Sequence, residues 1–154
     1  MQVADFLQPE NVIVDLAAPS KLKVLQIVSE KAGRALGIDE AIIFQALQSR
    51  EKLGSTGIGE GIAIPHTRIA GIAKPFSLLV RLSRSIEFES IDDVPVDLVF
   101  VLLLPVNSAS DHLNTLACSA RQLRAPEILR KLRHAKDATQ LFAAITADAP
   151  AMVR

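Results

Sequence analysis

The chain contains neither tryptophan nor tyrosine, and it has no excess of either charge. Its 154 residues include 17 Lys and Arg residues and 17 Asp and Glu residues, so the formal net charge is zero. A general basic field that would attract nucleic acid is therefore missing. Six phenylalanines are the only aromatic residues besides histidine, which leaves little for stacking on single-stranded bases. We expect no nucleic-acid partner.

Cysteine and long apolar runs are also scarce. Cys118 is the only cysteine, which excludes an intramolecular disulfide and a cysteine metal cluster, and its helical surroundings predict a small, largely buried residue. The longest apolar run, 98–106, is far shorter than the ~20 residues that cross a bilayer. The N-terminus has no basic segment followed by an apolar stretch, so no signal peptide is expected. These absences predict a cytoplasmic protein without membrane insertion.

The first part of the chain carries one strand signal and two helix signals. Residues 11–16 are rich in β-branched side chains, which favour a strand. Ser20 and Asp39 each precede a segment with apolar residues at helical spacing, so each is expected to be an N-cap. Gly37 is expected to end the first helix. Arg50 then lies at the C-terminal end of the second helix.

The second part of the chain predicts four strands followed by three helices. One domain is expected over residues 1–154, since domains of this length are common. The element order β-α-α-β-β-β-β-α-α-α predicts an α/β (α+β) fold, with a mixed sheet of about five strands and helices on both faces. The segments are a short strand at 62–64, apolar strands at 76–83 and 96–104, an edge strand or hairpin arm at 86–93, a helix capped by Ser110, a short helix beginning at Pro126, and a last helix over 137–146.

Glycine is concentrated in one stretch, G-S-T-G-I-G-E-G-I-A-I-P-H, which begins at Gly54 and ends at His66. Four of the 7 glycines lie in its first eight positions. Glycine permits positive φ and close backbone approach, and loop amides that point inward can bind an anion. Pro65 restricts the preceding residue to extended geometry, so His66 leaves the strand at a defined point. Because histidine is a nucleophile and a base near neutral pH, the pattern indicates a histidine that carries a phosphoryl group.

Other interpretations of these residues are weaker. The glycines alone are compatible with a flexible surface turn. A P-loop would need G-K-[ST], and a dinucleotide fingerprint would need its glycines between a strand and a helix. A zinc site built from His66, His112 and Asp111 lacks a short ligand spacing. A hydrolase triad using Ser55 or Ser110 lacks the G-x-S-x-G elbow.

The longer stretch R-E-K-L-G-S-T-G-I-G-E-G-I-A-I-P-H, residues 50–66, closely resembles a known signature. It is similar to the phosphorylation site of the mannitol/fructose-type IIA proteins of the bacterial phosphotransferase system (PTS), and most similar to the nitrogen-regulatory IIA branch. Weaker similarity covers almost the whole chain, including P-V-D-L at 95–98 and H-L-x-x-L at 112–116. The resemblance implies one EIIA type-2 domain with the mannitol-type IIA fold and a phosphohistidine intermediate.

The resemblance also implies roles for individual residues. His66 is expected to accept a phosphoryl group on Nε2 from an HPr-type carrier, without a metal or a nucleotide cofactor. His112 is expected near the start of its helix, as a neutral imidazole that donates one hydrogen bond to the phosphate; a surface histidine is the alternative. Arg50 is expected near the phosphate, and Arg68 is a weaker candidate at the rim. The possible loop donors are Gly54, Ser55, Thr56, Gly57, Gly59 and Gly61.

Two further expectations concern the surface. His134 lies in a basic run and is expected to be an exposed residue without a part in the site. The isoleucines around the glycine stretch are expected to form an apolar rim that a partner would cover: Ile58, Ile62, Ile64 and Ile69.

Two functions remain open from the sequence. In the first, which the resemblance favours, the phosphorylation state of the protein decides which regulatory target it binds. In the second, the protein passes the phosphoryl group to a IIB subunit of a sugar permease. The sequence does not name the target.

Overall fold

The structure is a computed structural model that describes residues 1–107 and 109–148. No helix in these ranges is long and apolar enough to cross a membrane. Strands and helices of the described chain form one mixed sheet with helices around it, which confirms the predicted fold class. The elements are β1 (Val12–Leu16), α1 (Lys21–Leu36), α2 (Glu40–Lys52), β2 (Gly57–Gly59), β3 (Ile62–Ala63), β4 (His66–Ile69), β5 (Phe76–Ile86), β6 (Val96–Pro105), α3 (Ala109–Arg124), α4 (Pro126–His134) and α5 (Ala138–Thr146), with short 3-10 turns at Val3–Asp5 and Pro9–Asn11.

The helix boundaries follow from local side-chain chemistry. Ser20 Oγ accepts a hydrogen bond from the Lys23 amide at 3.1 Å, and Asp39 Oδ1 accepts one from the Ala41 amide at 3.0 Å. Each such cap is typically worth about 1 kcal/mol. Gly37 ends α1 in the left-handed conformation, at φ 69°. These three boundaries confirm the sequence predictions.

Strand β6 is the centre of the sheet. The strand order is β1-β5-β6-β3-β2, and β4 pairs with β6 beyond the end of β3. β5 lies antiparallel to one edge of β6, whereas β3 and β4 lie parallel to the other edge. Between β3 and β4, the Pro65 carbonyl accepts a hydrogen bond from the Leu102 amide at 2.9 Å. The chain therefore remains attached to β6 as it passes from the glycine stretch to His66.

The core has two parts, one on each face of the sheet. Leu98, Phe100 and Leu102 of β6 belong to the cluster formed with α3, α4 and α5. The alternate residues Val99, Val101 and Leu103 belong to the cluster formed with α1 and α2. Because successive side chains of a strand point to opposite faces, a continuous apolar run fills both clusters. This arrangement confirms that strands 76–83 and 96–104 are covered on both faces.

The expected strand at 86–93 is wrong, because only its first residue is in a strand. β5 continues to Ile86, and a loop then leads to β6. Glu89 and Asp93 have φ values of 57° and 61°, which a strand does not accommodate. The Asp92 carboxylate accepts hydrogen bonds from the Glu60 amide at 2.9 Å and the Val94 amide at 3.1 Å. The polar segment is therefore a turn that packs on the glycine stretch.

The expected cap at Ser110 is also wrong. Helix α3 begins at Ala109, so Ser110 lies inside its first turn. The position before the helix is residue 108, which is outside the described residues. Strand β4 was not predicted, because its four residues H-T-R-I lack the apolar alternation of a strand and become one only by pairing with β6.

We predict that Gly57→Ala destabilises the protein by about 1–3 kcal/mol, as overpacking of a closed site does. A Cβ at residue 57 would lie 2.5 Å from Ser90 Oγ and 3.0 Å from Ser90 Cα. Urea unfolding measures the change in the free energy of unfolding. Ser90→Ala is the matched variant, since Ser90 Oγ is buried and has no hydrogen-bond partner in the described part of the chain. Ser90→Ala alone should be nearly neutral and should restore part of the stability of Gly57→Ala; full stability of Gly57→Ala would contradict the contact.

Candidate functional site

His66 is the first residue of β4 and is held by the centre of the sheet. It pairs with Leu102 in β6, and the preceding Pro65 carbonyl is bonded to the Leu102 amide. The His66 side chain is partly buried. The backbone on both sides of the imidazole is therefore fixed by a strand that cannot move without disturbing both halves of the core.

The hydrogen bond of the His66 ring determines its tautomer. Nδ1 lies 2.7 Å from the Ile64 carbonyl oxygen. A carbonyl can only accept, so Nδ1 carries the hydrogen and Nε2 carries the lone pair. Of the two ring nitrogens, Nε2 is therefore the one able to act as a nucleophile.

The surroundings keep this ring neutral. Burial lowers the pKa of His66 below its ordinary value, and the positive charge of Arg50 lowers it further. The Ile64 carbonyl and the Glu51 carboxylate raise the pKa but do not outweigh the burial. A neutral imidazole near pH 7 retains the lone pair that a nucleophile needs.

His66 opens into a depression of about 360 Å³ between β4, the end of α2 and the first turns of α3. The depression combines apolar side chains with two arginines and two histidines, a combination that can accommodate an anion. A groove of about 790 Å³ beside Arg133 is larger, but it does not contain His66. The residues of the depression are Arg50, His66, Thr67, Arg68, Leu104, His112, Leu113 and Leu116.

Arg50 lies in the last turn of α2, where a cation is favoured by the helix dipole. Its Nη1 donates to the Gly54 carbonyl at 2.8 Å, which holds the side chain against the start of the glycine stretch. A guanidinium has five N–H donors, so this bond leaves others for an anion in the depression. Arg68, the weaker candidate, is exposed at the rim of the same depression.

His112 is buried in the first turns of α3 and faces the same depression. Its Nε2 donates a hydrogen bond to the Pro105 carbonyl at the end of β6. Its Nδ1 is buried and has no partner within the described residues. In a neutral ring, the single N–H hydrogen is therefore used in the bond to Pro105. This differs from the expectation that a neutral His112 donates its hydrogen to the phosphate. His112 can donate to a phosphate only when Nδ1 also carries a proton.

The donors of the glycine stretch have partners elsewhere. Ser55 Oγ donates to the Phe88 carbonyl at 2.6 Å and accepts from the Gly57 amide at 3.0 Å. The Thr56 amide and hydroxyl both donate to the Glu51 carboxylate. None of the residues 54–61 lines the depression around His66. Their direct contact with a phosphate stays a prediction.

Three of these glycines allow close packing of the stretch against its surroundings. Gly57 leaves no room for a side chain beside Ser90, and Gly59 lies against the Asp92 carboxylate. Gly61, at φ 79°, faces Arg133, whose guanidinium bonds to Asp97 and to the Glu60 carbonyl. The stretch is therefore a packed hairpin of β2 and β3 rather than a flexible surface turn.

The expected rim of isoleucines is wrong. Ile62, Ile64 and Ile69 are at most 3% exposed and belong to the two core clusters, and Ile58 is partly buried against one of them. The exposed apolar side chain at the depression is Leu113 of α3, at 73% exposure.

His134 is exposed and Cys118 is buried, as predicted. Within the described ranges, no group of three or more His, Cys, Asp or Glu residues is placed to hold a metal ion.

One functional candidate was missed in the sequence. Glu51 follows Arg50 directly, yet its side chain is buried in the last turn of α2. A carboxylate at the C-terminal end of a helix is unfavourable, because it lies at the negative end of the helix dipole. This unfavourable position of Glu51 in the sequence could have indicated that its side chain has a specific role.

Comparison with known proteins identifies the family. The family model of the phosphoenolpyruvate-dependent sugar phosphotransferase system, EIIA 2, matches residues 5–148. The chain belongs to this family of phosphotransfer proteins. The match confirms the resemblance seen in residues 50–66.

Individual relatives support the nitrogen-regulatory branch. A nitrogen regulatory protein of Bradyrhizobium diazoefficiens is 43% identical over 145 residues, covering 94% of this chain and 95% of the relative. The crystal structure of the nitrogen regulatory protein IIA-Ntr from Neisseria meningitidis superimposes with a TM-score of 0.88 at 31% identity, covering 94% and 99% of the two chains. The mannitol IIA of Escherichia coli shares the fold, with a TM-score of 0.72 at 20% identity over 90% and 97% of the chains. The mannitol-type IIA fold is therefore confirmed.

We predict that His66 titrates below the ordinary histidine value of about 6.5, because burial and Arg50 both disfavour its charged form. Imidazole titration by NMR measures this pKa. Arg50→Gln should raise the pKa of His66, whereas Arg34→Gln should not, since Arg34 is exposed on α1 and pairs with Glu30.

The same shift has a consequence for stability. The unfolded chain protonates His66 more readily than the folded one, so the contribution of His66 to stability is present above about pH 6.5 and decreases as the pH falls below it. A pKa of His66 at or above the ordinary value would contradict the effect of burial. An equal change of this pKa in Arg50→Gln and Arg34→Gln would contradict the effect of Arg50.

Proposed function

We propose that this protein is a phosphohistidine carrier of the phosphotransferase system, which accepts a phosphoryl group on Nε2 of His66 from an HPr-type protein and regulates target proteins according to its phosphorylation state. The observation that carries the proposal is the free lone pair on Nε2, which the hydrogen bond from Nδ1 to the Ile64 carbonyl secures. Family membership supports the phosphotransfer chemistry. In this proposal the protein acts in the cytoplasm, without a metal or nucleotide cofactor.

The transfer is an in-line displacement at phosphorus. The Nε2 lone pair of His66 forms the new P–N bond, and the P–N bond of the donor phosphohistidine breaks with its electron pair returning to the donor ring. The hydrogen on Nδ1 stays in its bond to Ile64, where the carbonyl stabilises the positive charge that the phosphorylated ring develops. Such a reaction needs positioning and charge neutralisation rather than covalent assistance.

Arg50 and His112 supply the charge neutralisation in this proposal. Both line the depression of His66, and the guanidinium of Arg50 has donors to spare. In this proposal His112 donates to a phosphate oxygen from Nδ1, the ring nitrogen that has no partner within the described residues. Ser55, Thr56 and the glycines contribute chiefly by holding the backbone that carries His66.

We predict that His66→Ala abolishes phosphorylation and that His112→Ala slows it. Loss of one donor aimed at a developing anion commonly costs ~2.7–4 kcal/mol, or 10²–10³-fold in rate. The assay is incubation with phosphoenolpyruvate, the first PTS enzyme and an HPr-type carrier, followed by mapping of the acid-labile phosphate. His134→Ala is the matched control, since His134 is exposed and lies outside the depression. Acid-labile phosphate that persists in His66→Ala would contradict the assignment of His66 as the phosphorylated residue. An unchanged transfer rate in His112→Ala would exclude a role of His112 in the transfer.

Transfer to a IIB subunit is the second candidate function, because the family description names a sugar phosphotransferase system. Regulation is favoured by the nitrogen regulatory relatives. Binding of a target could depend on phosphorylation because the exposed Leu113 lies beside His66 at the same depression. A partner that covers this apolar surface and offers no basic group of its own would have to bury the added phosphate charge, which is costly.

We predict that His66→Ala and the charge mimic His66→Glu retain different partners from the cytoplasm of the native host. The difference in affinity for a target that prefers the bare histidine should be at least the ~1–3 kcal/mol typical of coupled sites. Leu113→Ser in the His66→Ala background should weaken retention of the same target. Identical partners for both His66 variants, together with rapid transfer from the wild type to a sugar-specific IIB, would favour transport over regulation.

A further inference from the structure

We propose that Glu51 is a positioning residue for phosphoryl transfer: it holds Thr56, and through Thr56 it fixes the Ile64 carbonyl that orients the ring of His66. The proposal rests on the function proposed above, because it concerns the same histidine. It assigns a role to the buried carboxylate of Glu51 and its partners Thr56 and Lys21, which lie outside the depression.

The location of Glu51 is unfavourable by itself. Its side chain is 5% exposed and lies in the last turn of α2, at the negative end of the helix dipole. A buried carboxylate is retained only when hydrogen bonds and an opposite charge compensate its lost hydration. The position therefore requires dedicated partners.

Two residues supply these partners. The Thr56 amide donates to Oε1 of Glu51 at 3.0 Å, and the Thr56 hydroxyl donates to Oε2. The ammonium of Lys21, the first residue of α1, lies 3.1 Å from Oε1. The same ammonium lies 4.7 Å from the centre of the Phe88 ring, in the loop that follows β5. The carboxylate thus joins the start of α1 and the end of α2 to the glycine stretch.

A continuous series of hydrogen bonds leads from Glu51 to His66. Thr56 is held at its amide and hydroxyl by Glu51, and its carbonyl accepts from the Ile64 amide at 3.0 Å. The Ile64 carbonyl in turn accepts from Nδ1 of His66 at 2.7 Å. A shift of Thr56 would therefore move the one acceptor that keeps the hydrogen on Nδ1.

The chemical consequence concerns the tautomer. If the Ile64 carbonyl moves away, the tautomer with its hydrogen on Nε2 becomes more populated, and this form has no lone pair at the attacking nitrogen. The negative charge of Glu51 also raises the pKa of His66 against the effects of burial and Arg50, so loss of Glu51 leaves the ring neutral and acts on the reactive fraction through the tautomer alone. Loss of Glu51 should therefore reduce the reactive fraction of His66 without changing how the donor protein docks.

The test is Glu51→Gln, which keeps an acceptor for the Thr56 amide but removes the charge. We expect kcat for phosphoryl transfer to fall about tenfold while KM for the HPr-type carrier stays within about twofold. The ¹⁵N shifts of the His66 ring should move from the single Nδ1–H tautomer toward a mixture. Glu30→Gln is the matched control, because it removes the same charge from an exposed pair with Arg34 on α1.

Thr56 provides an independent pair of variants. Thr56→Ser keeps the hydroxyl and should retain wild-type rate and ring shifts, whereas Thr56→Val should behave like Glu51→Gln. If Glu51→Gln does not fold, the proposal is tested with Thr56→Ser and Thr56→Val alone. Equal ¹⁵N shifts of the His66 ring in these two variants would overturn the proposal. Wild-type ring shifts in a folded Glu51→Gln would overturn it as well. The ring shifts are measured without phosphorylation, so failure of the wild type to accept phosphate would contradict the proposed function and leave this test intact.

Discussion

Strand β6 is the constraint on which the arrangement of the site depends. His66 is paired with Leu102 of β6, and His112 is bonded to the carbonyl of Pro105, the last residue of the same strand. β6 is hydrogen-bonded along both edges and buried on both faces, so it cannot shift without disrupting two close-packed clusters. Both imidazoles are therefore attached to one rigid reference, as a preorganised site requires.

The electrostatics of the site reconcile two opposing demands. A nucleophilic histidine must be neutral, whereas the phosphorylated histidine needs cations beside it. Burial and Arg50 lower the pKa of His66 and so favour its neutral form, and in the proposed transfer Arg50 would remain available as a counterion. His112 has Nε2 bonded to Pro105, whereas its Nδ1 has no partner within the described residues. In the proposed function, His66 thus has a free lone pair before the transfer, and Arg50 lies beside the phosphate after it.

The glycine stretch shows how a correct motif can suggest the wrong contacts. A cluster of glycines before a histidine suggests amides that surround an anion. In the structure, Gly57 and Gly61 instead allow the β2–β3 hairpin to pack against Ser90 and Arg133. The hydroxyls of the stretch bond to Phe88 and Glu51. The motif therefore marks the position of His66 reliably, although its donors mainly stabilise the loop.

The sequence by itself determined the features that depend on near neighbours along the chain. Helix caps at Ser20 and Asp39 and the apolar strands β5 and β6 follow from local hydrogen bonding and periodicity. Only the tertiary structure decided which distant group each polar atom meets. It assigned the hydrogen of His112 to Pro105, turned the segment after Ile86 into a loop against the glycine stretch, and buried Glu51 between Lys21 and Thr56. The reason is physical: a hydrogen bond between distant residues requires both to be brought together by packing of the sheet and helices, and no periodicity in the sequence encodes that partner.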